Sequence, residues 1–198
     1  MAPKSEHWIQ TFTGKFFYPL EPEESDYCIE DIAHALSNIC RFTGQCDRFY
    51  SVAQHSLIVS ELVPPELMVQ GLLHDASEAY ITDIARPLKH LPAFDGYREI
   101  ERRTQAAVFK ALGVEDKGHL AIKTADGLLL RNEAKCLKLL TPEWWHHRLP
   151  DLGIDIKPMS PTEAEAAFLK KWREPRPNEG PQHYTMRRFY EETREKGA

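Results

Sequence analysis

The sequence predicts an all-α domain preceded by a short extended segment. Apolar residues recur at three- and four-residue spacing in several long stretches, which is the period of an amphipathic helix, and Pro or Gly stands near the ends of these stretches. The chain has 198 residues, 42% of them hydrophobic, and no internal repeat is visible. A chain of this length buries enough surface to form a core without disulfides. We therefore expect one domain over residues 1–173, followed by a polar tail over residues 174–198.

The first elements follow from composition and periodicity. Residues 9–28 are rich in Thr, Phe and Tyr and then in Pro and acidic residues, which favours an extended piece or hairpin followed by a loop. Apolar periodicity then predicts a helix over residues 29 to about 44. Residues 51–54 have the form of a capping box, which predicts a second helix ending near Leu62.

The remaining chain continues the helical pattern. Pro64 and Pro65 end the second helix and begin a third, which carries the pair His74-Asp75 at its end. Residues 83–92 contain two prolines and are predicted to form a loop. Three more helices are predicted, over residues 96–112, 118–140 and 162–172.

The composition excludes several classes of protein. The chain has 25 basic and 30 acidic residues, a formal net charge of −5 and no block of Lys or Arg, so we expect no nucleic-acid partner. No apolar run approaches the ~20 residues of a membrane span, and the N-terminus lacks an apolar signal core, so we expect a cytoplasmic protein without membrane contact. The four cysteines form no CxxC pair, and the Cys40-x5-Cys46 spacing is unusual for zinc, which indicates reduced thiols.

A group of polar residues inside apolar stretches is the candidate site. His74 and Asp75 end an apolar helix, where such side chains are costly unless they are paired or bound to a cation, and Glu78 follows on the same helical face. His55 and Asp126 each lie within or beside another apolar stripe. Any one of them alone is compatible with a hydrogen-bonded core residue. Together, two histidines and two aspartates form a nitrogen and oxygen ligand set that suits a transition metal with open coordination positions.

The order of these residues also resembles a known family. His55, His74-Asp75 and Asp126, with residues 51–56 and 73–79 around the first three, are similar to the HD-domain metal-dependent phosphohydrolases, above all to the small 5′-deoxynucleotidases and the phage-type deoxynucleoside triphosphate hydrolases (dNTPases). The similarity spans about residues 10–140. It implies an HD-domain helical bundle in which these four residues hold one divalent metal ion, which is Mn, Co, Zn, Ni, Fe or Mg.

The resemblance also implies roles for residues near the ligands. Arg41 and Lys89 are expected to bind substrate phosphate, Glu78 to handle the attacking water, and Asp83 to assist proton transfer to the leaving group. One position departs from the family, because Gln45 stands where many members have histidine, and glutamine cannot ionise.

The resemblance makes a hydrolase of nucleotide metabolism the leading hypothesis, with metal-activated water attacking the α-phosphate of a deoxynucleotide. Several basic residues favour a triphosphate over a monophosphate, namely Arg41, Arg48, Arg86 and Lys89. We also expect a homodimer or larger homo-oligomer, because exposed helical faces suit self-association.

Two alternatives use the same scaffold. One is a nucleotide-sensing HD module without turnover, although such a module has no chemical need of the ligands and Glu78. The other is a dinuclear iron oxygenase, for which His90 and His119 are the second-site candidates. His119 lies about 10 Å along a helix from Asp126, which favours a single metal ion.

Overall fold

The computed structural model describes residues 6–139 and 152–175, which form an all-α fold with one small hairpin, as predicted. The antiparallel hairpin pairs β1 (Ile9–Gln10) with β2 (Phe16–Phe17). The α-helices of the described residues are α1 (Ile29–Asn38), α2 (Val52–Leu62), α3 (Met68–Leu72), α4 (Glu78–Ile81), α5 (Arg86–Lys89), α6 (Asp95–Ala111), α7 (His119–Cys136) and α8 (Pro161–Trp172). Short 3₁₀ turns occupy Pro22–Glu24, Arg41–Gly44, Pro65–Leu67 and Pro92–Phe94. Of the predicted tail, residues 176–198 lie outside the described residues, as does position 140 of the predicted fifth helix.

The first helix ends earlier than the periodicity predicts. α1 ends at Asn38, and Ile39 already has an extended backbone. Cys40 then forms a single antiparallel bridge with Ser51. Phe42 and Thr43 have φ values of 56° and 51°, which a right-handed helix cannot accommodate. The predicted helix over residues 29–44 is therefore wrong over residues 39–44, because the chain leaves the helix after Asn38 and forms a separate turn over Arg41–Gly44.

α2 begins at the predicted cap. The Ser51 side chain accepts the backbone N–H of Gln54, which satisfies one of the free donors at a helix start. The Gln54 side chain does not return to the cap as a capping box would. Its amide nitrogen donates to the Lys157 carbonyl at 2.8 Å, and its amide oxygen accepts the Met159 N–H at 2.9 Å. Gln54 therefore fastens the segment before α8 to the first turn of α2.

Two predicted boundaries around the His-Asp pair differ from the structure. α3 ends at Leu72, so His74 and Asp75 lie in a turn and not on the predicted helix. The turn is closed by Ala76 N–H donating to the Leu73 carbonyl and by Glu78 N–H donating to the Asp75 carbonyl. The predicted loop over residues 83–92 contains the short helix α5, because Pro87 suits a first helical turn.

The long helices after this region are close to their predicted ranges. α6 is followed by Gly113 with φ of 64°, which is the expected helix stop. α7 begins after Gly118 and ends at Cys136, four residues before the predicted end. α8 begins at a full capping box formed by Ser160 and Glu163, one residue before the predicted start.

α2 lies between two hydrophobic clusters. At its N-terminal end, Val52 and Ala53 pack in a cluster with α1, α3 and α8. Further along, Val59 and the following Val63 pack in a second cluster with Leu129 of α7. The buried polar residues of α2 are Gln54, His55, Ser56 and Ser60. None of the described helices is long and apolar enough to cross a membrane.

Gly71 allows α2 and α3 to approach closely, and its replacement should destabilise the fold. A Cβ atom at Gly71 would lie 3.0 Å from Val63 Cγ2 and 3.1 Å from the Ser60 Cα. We expect Gly71→Ala to cost about 1–3 kcal/mol through overpacking, with roughly 2–4 °C of Tm lost per kcal/mol for a chain of this size. Gly96→Ala in α6 is the matched control, because a Cβ there meets nothing within 4 Å, and it should preserve or raise Tm. Equal Tm changes in the two variants would contradict this packing constraint.

Candidate metal centre

His55 is the buried centre of the candidate site. It lies on α2 and is completely buried, with 0% of its surface exposed. Its Nδ1–H donates to Glu133 Oε1 at 2.6 Å. A carboxylate accepts this hydrogen, so Nε2 is the ring nitrogen that faces the other candidate ligands.

The turn after α3 brings a second imidazole to His55. His74 Nδ1–H donates to the Gly71 carbonyl at 2.8 Å, which leaves His74 Nε2 directed at His55 Nε2, 3.3 Å away. Asp75 Oδ2 lies 3.2 Å from His74 Nε2 and 3.8 Å from His55 Nε2. The ligand atoms of these three residues all lie within 4.8 Å of one another, so the group can hold a metal ion.

The donor set requires a positive charge between its members. With both Nδ1 atoms protonated, two neutral imidazoles would direct Nε2 lone pairs at each other beside carboxylate oxygens, and these atoms repel unless a proton or a metal cation lies between them. Burial and Arg41 lower the pKa of His55, but Glu133 and Asp126 outweigh them and raise it overall. The surroundings therefore favour a cation at Nε2, and the nitrogen and oxygen donors fit a divalent transition metal.

α7 contributes two carboxylates to His55. Asp126 Oδ1 lies 3.1 Å from His55 Nε2, with 42% of its side chain exposed. Glu133 lies two turns further along the same helix, is fully buried and contacts the opposite ring nitrogen. The predicted ligand Asp126 thus contacts one member of the three-residue group but does not belong to it.

Arg41 is held against the same residues. Its Nη2 atom donates to Glu133 Oε2 at 3.2 Å, and its Nη1 atom lies 3.7 Å from Asp75 Oδ2. Burial lowers the pKa of Arg41, but Glu133 and Asp75 raise it overall. The guanidinium is therefore a fixed positive charge at the candidate site, only 16% exposed.

Glu78 is a buried carboxylate beside the site. It is the first residue of α4 and is 8% exposed. Burial and repulsion from Asp75 and Asp83 raise its pKa well above the usual value, although Arg41 and Lys89 partly oppose the shift. A carboxyl group with a raised pKa can exchange a proton closer to neutral pH than an ordinary one.

Lys89 and Asp83 form a separate cluster. Lys89 Nζ donates to Asp83 Oδ1 at 3.0 Å and to Glu101 Oε1 at 2.5 Å. Lys89 is therefore already paired with two carboxylates, and any further anion would compete with these contacts. Both Lys89 and Asp83 nevertheless lie near enough to influence Glu78 electrostatically.

Other histidines and basic residues named from the sequence lie elsewhere. His119 is 78% exposed and pairs with Asp116 at 3.0 Å, and His90 is exposed after α5. Within residues 6–139 and 152–175, neither joins a metal-ligating group. Arg48 donates to the Cys136 carbonyl at the end of α7. Gln45 is exposed at the end of the Arg41–Gly44 turn.

Sequence reasoning missed Glu133 and Glu101. Glu133 follows Asp126 by seven residues, which places both on one face of α7. The available signal was an acidic residue two turns after a candidate ligand, with the apolar Leu129 between them. Glu101 gave no comparable signal, because it lies in the highly charged stretch of α6 and only the tertiary structure brings it to Lys89.

Comparison with known proteins identifies close relatives. No protein-family model matches the chain. It is 36% identical to the uncharacterized protein YfdR of Escherichia coli over 170 residues, which cover 84% of this chain and 94% of YfdR. It is also 36% identical over 184 residues to the uncharacterized protein RCAP_rcc00048 of Rhodobacter capsulatus, covering 83% of this chain and 93% of that protein. The chain therefore belongs to the same protein family as YfdR and RCAP_rcc00048.

Proposed function

We propose that the protein is a divalent-metal-dependent phosphohydrolase that cleaves nucleotides, preferably deoxynucleotides, at the α-phosphate. The proposal rests on the position of a buried cation beside a metal-ligating group. His55 Nε2 and His74 Nε2 lie 3.3 Å apart beside Asp75, and the Arg41 guanidinium lies 3.7 Å from the same Asp75. A metal-ligating group next to a buried fixed cation suits an anionic substrate. The nucleotide class comes from the resemblance to HD-domain phosphohydrolases.

The residues proposed to hold the metal ion are His55, His74, Asp75 and Asp126. A bound Mn, Co, Zn, Ni, Fe or Mg ion supplies Lewis-acid charge and lowers the pKa of coordinated water. The second ring nitrogens of the two histidines are fixed by Glu133 and by the Gly71 carbonyl. Such contacts hold ligand histidines in one tautomer and orientation.

Arg41 is proposed to bind the phosphate. A planar guanidinium forms paired hydrogen bonds to phosphate oxygens. The contact of its Nη2 atom with Glu133 fixes the guanidinium, while its buried Nε–H has no hydrogen-bond partner among the described residues. Charge that develops on the non-bridging oxygens would therefore meet a positioned cation with unused donor capacity.

Glu78 is proposed to accept the proton of the attacking water. Its raised pKa makes the carboxylate a stronger base than an ordinary glutamate. Asp83 is proposed to deliver a proton to the leaving oxygen, and Lys89 fixes the Asp83 side chain at 3.0 Å. Lys89 itself is proposed to add positive charge near the phosphates.

The number of phosphates on the substrate is addressed by product analysis. Purified protein should be incubated with deoxy- and ribonucleoside mono-, di- and triphosphates in the presence of Mn, Co, Zn, Ni, Fe or Mg. We expect nucleoside as the common product, with release of phosphate, pyrophosphate or triphosphate according to the substrate.

His74→Ala should lose bound metal and hydrolysis together, because it removes one of the two facing imidazoles. His119→Ala should keep both, because His119 is exposed and paired with Asp116.

Three outcomes would overturn the proposal. Retained hydrolysis by metal-depleted His74→Ala would show that the group is not the catalytic centre. Nucleotide binding without any product would favour a sensing module. Two irons per chain together with oxygen consumption would favour an oxygenase.

Glu78→Gln should separate metal binding from catalysis. We expect unchanged metal content and a loss of about 10²–10⁴-fold in kcat, because the variant cannot take up the proton. The wild-type rate should rise with pH as the Glu78 carboxyl loses its proton, at a pH above the usual glutamate range, and the variant should lack this rise. Glu61→Gln, at an exposed position of α2, is the control and should retain the wild-type profile. Loss of metal from Glu78→Gln would instead make Glu78 a ligand.

Glu133→Gln should weaken metal binding without removing a ligand. The amide can still accept the His55 Nδ1–H, but it no longer supplies negative charge to His55 and Arg41. We expect metal affinity to fall about 10–100-fold, as is typical when a contact behind a ligand is lost. Calorimetric metal titration of protein shown to be folded by circular dichroism measures this effect. Glu101→Gln alters another partly buried carboxylate, one that pairs with Lys89, and should leave metal affinity unchanged; equal affinities in both variants would refute the role of Glu133.

A further inference from the structure

Two cysteines bracket the turn that presents Arg41. The Cys40 and Cys46 Sγ atoms lie 3.7 Å apart, and both side chains are half-buried. Cys28 and Cys136 have different neighbours: the Cys28 thiol donates to Asp31 Oδ2 at 3.1 Å, and the Cys136 thiol donates to the Ile154 carbonyl at 3.6 Å. Cys40 and Cys46 are therefore the cysteines whose sulfur atoms contact each other.

The backbone holds both ends of this turn. On the Cys40 side, the neighbouring Arg41 N–H donates to the Tyr50 carbonyl at 2.9 Å. On the Cys46 side, the neighbouring Asp47 N–H donates to the Leu137 carbonyl at 3.3 Å. Disulfide formation needs the sulfur atoms to approach to about 2.0 Å, a short distance from their present contact.

We propose that Cys40 and Cys46 form an oxidative modification site, at which a small-molecule disulfide converts the two thiols into an intramolecular disulfide. One cysteine attacks the disulfide RSSR, forms a mixed disulfide and releases one RSH. The other cysteine then attacks the mixed disulfide at the protein sulfur and releases the second RSH. The two protein thiols lose two electrons and two protons, and RSSR gains them as two molecules of RSH.

The bond closes a seven-residue ring, Cys40 to Cys46, that contains Arg41. Two residues of this ring, Phe42 and Thr43, have left-handed φ values of 56° and 51°. Such conformations persist only when the surroundings fix them. A covalent link between the ends of the ring would therefore hold the turn that directs Arg41 toward Glu133 and Asp75.

The exchange with the small-molecule disulfide should be slow. Burial and the neighbouring Cys40 thiol raise the pKa of the Cys46 thiol, and the thiolate is the reactive form. Conversion to the intramolecular disulfide therefore requires prolonged incubation with the oxidant.

Mass spectrometry of the folded full-length chain tests the modification site. After prolonged incubation with oxidised glutathione and alkylation, we expect two of the four thiols to be protected and the mass of the chain, apart from alkylation, to fall by two hydrogen atoms. Trypsin cleaves after Arg41 and Arg48, so the disulfide should join peptide 42–48 to the peptide that ends at Arg41. Dithiothreitol should separate the two peptides.

Single variants assign the bond, because the peptide that ends at Arg41 also contains Cys28. Cys28→Ser should still form the cross-link, whereas Cys40→Ser should form none and should carry glutathione on Cys46. Circular dichroism confirms that each variant is folded before oxidation. The proposal is overturned if all four thiols remain alkylatable, if Cys28→Ser abolishes the cross-link, or if Cys40 and Cys46 both carry glutathione without bonding to each other.

Discussion

The structure is organised around the burial of a single imidazole. A fully buried histidine requires partners for both ring nitrogens, because an unsatisfied polar group in the interior is costly. For His55 these partners come from other elements: Glu133 of α7 at Nδ1, and His74 with Asp126 around Nε2. The buried Glu133 carboxylate in turn requires a compensating charge, which Arg41 provides. One side chain of α2 therefore links α7, the turn after α3 and, through Glu133, the turn that follows α1.

Local signals in the sequence were sufficient for much of the fold. Ser51 as a helix cap, Gly113 as a helix stop and the three- and four-residue apolar spacing of α6 and α7 act over a few residues. The structure agrees with these signals. The boundaries that failed depend on distant contacts. α1 stops at Asn38 because Cys40 pairs with Ser51, a residue that periodicity within residues 29–44 cannot reveal. The turn at His74 replaces a helix for a similar reason, since its ring must face His55.

The candidate site was partly predictable for the same physical reason. His55, His74, Asp75 and Asp126 interrupt apolar stretches, and polar residues in such places indicate a partner. The grouping of His55, His74 and Asp75, with Asp126 against His55, required the tertiary structure. The pairing of Lys89 with Glu101 required it too. Arg41 was identified by resemblance, yet its contact with Glu133 gives it a structural role that no local pattern contained. Ion pairs between residues that are distant in the chain are the contacts that a single sequence indicates least.

The two hydrophobic clusters on either side of α2 have a consequence for how the domain unfolds. Val52 and Ala53 belong to one cluster and Val59 to the other, so α2 contributes to both clusters. Detachment of α7 alone would expose Val59. It would also leave His55 buried in the rest of the domain without Glu133. Local detachment of α7 would thus carry an electrostatic cost in addition to the loss of apolar contact. The two hydrophobic clusters are therefore expected to unfold as one cooperative unit. A ligand that binds His55 would raise the free energy of unfolding of both clusters together.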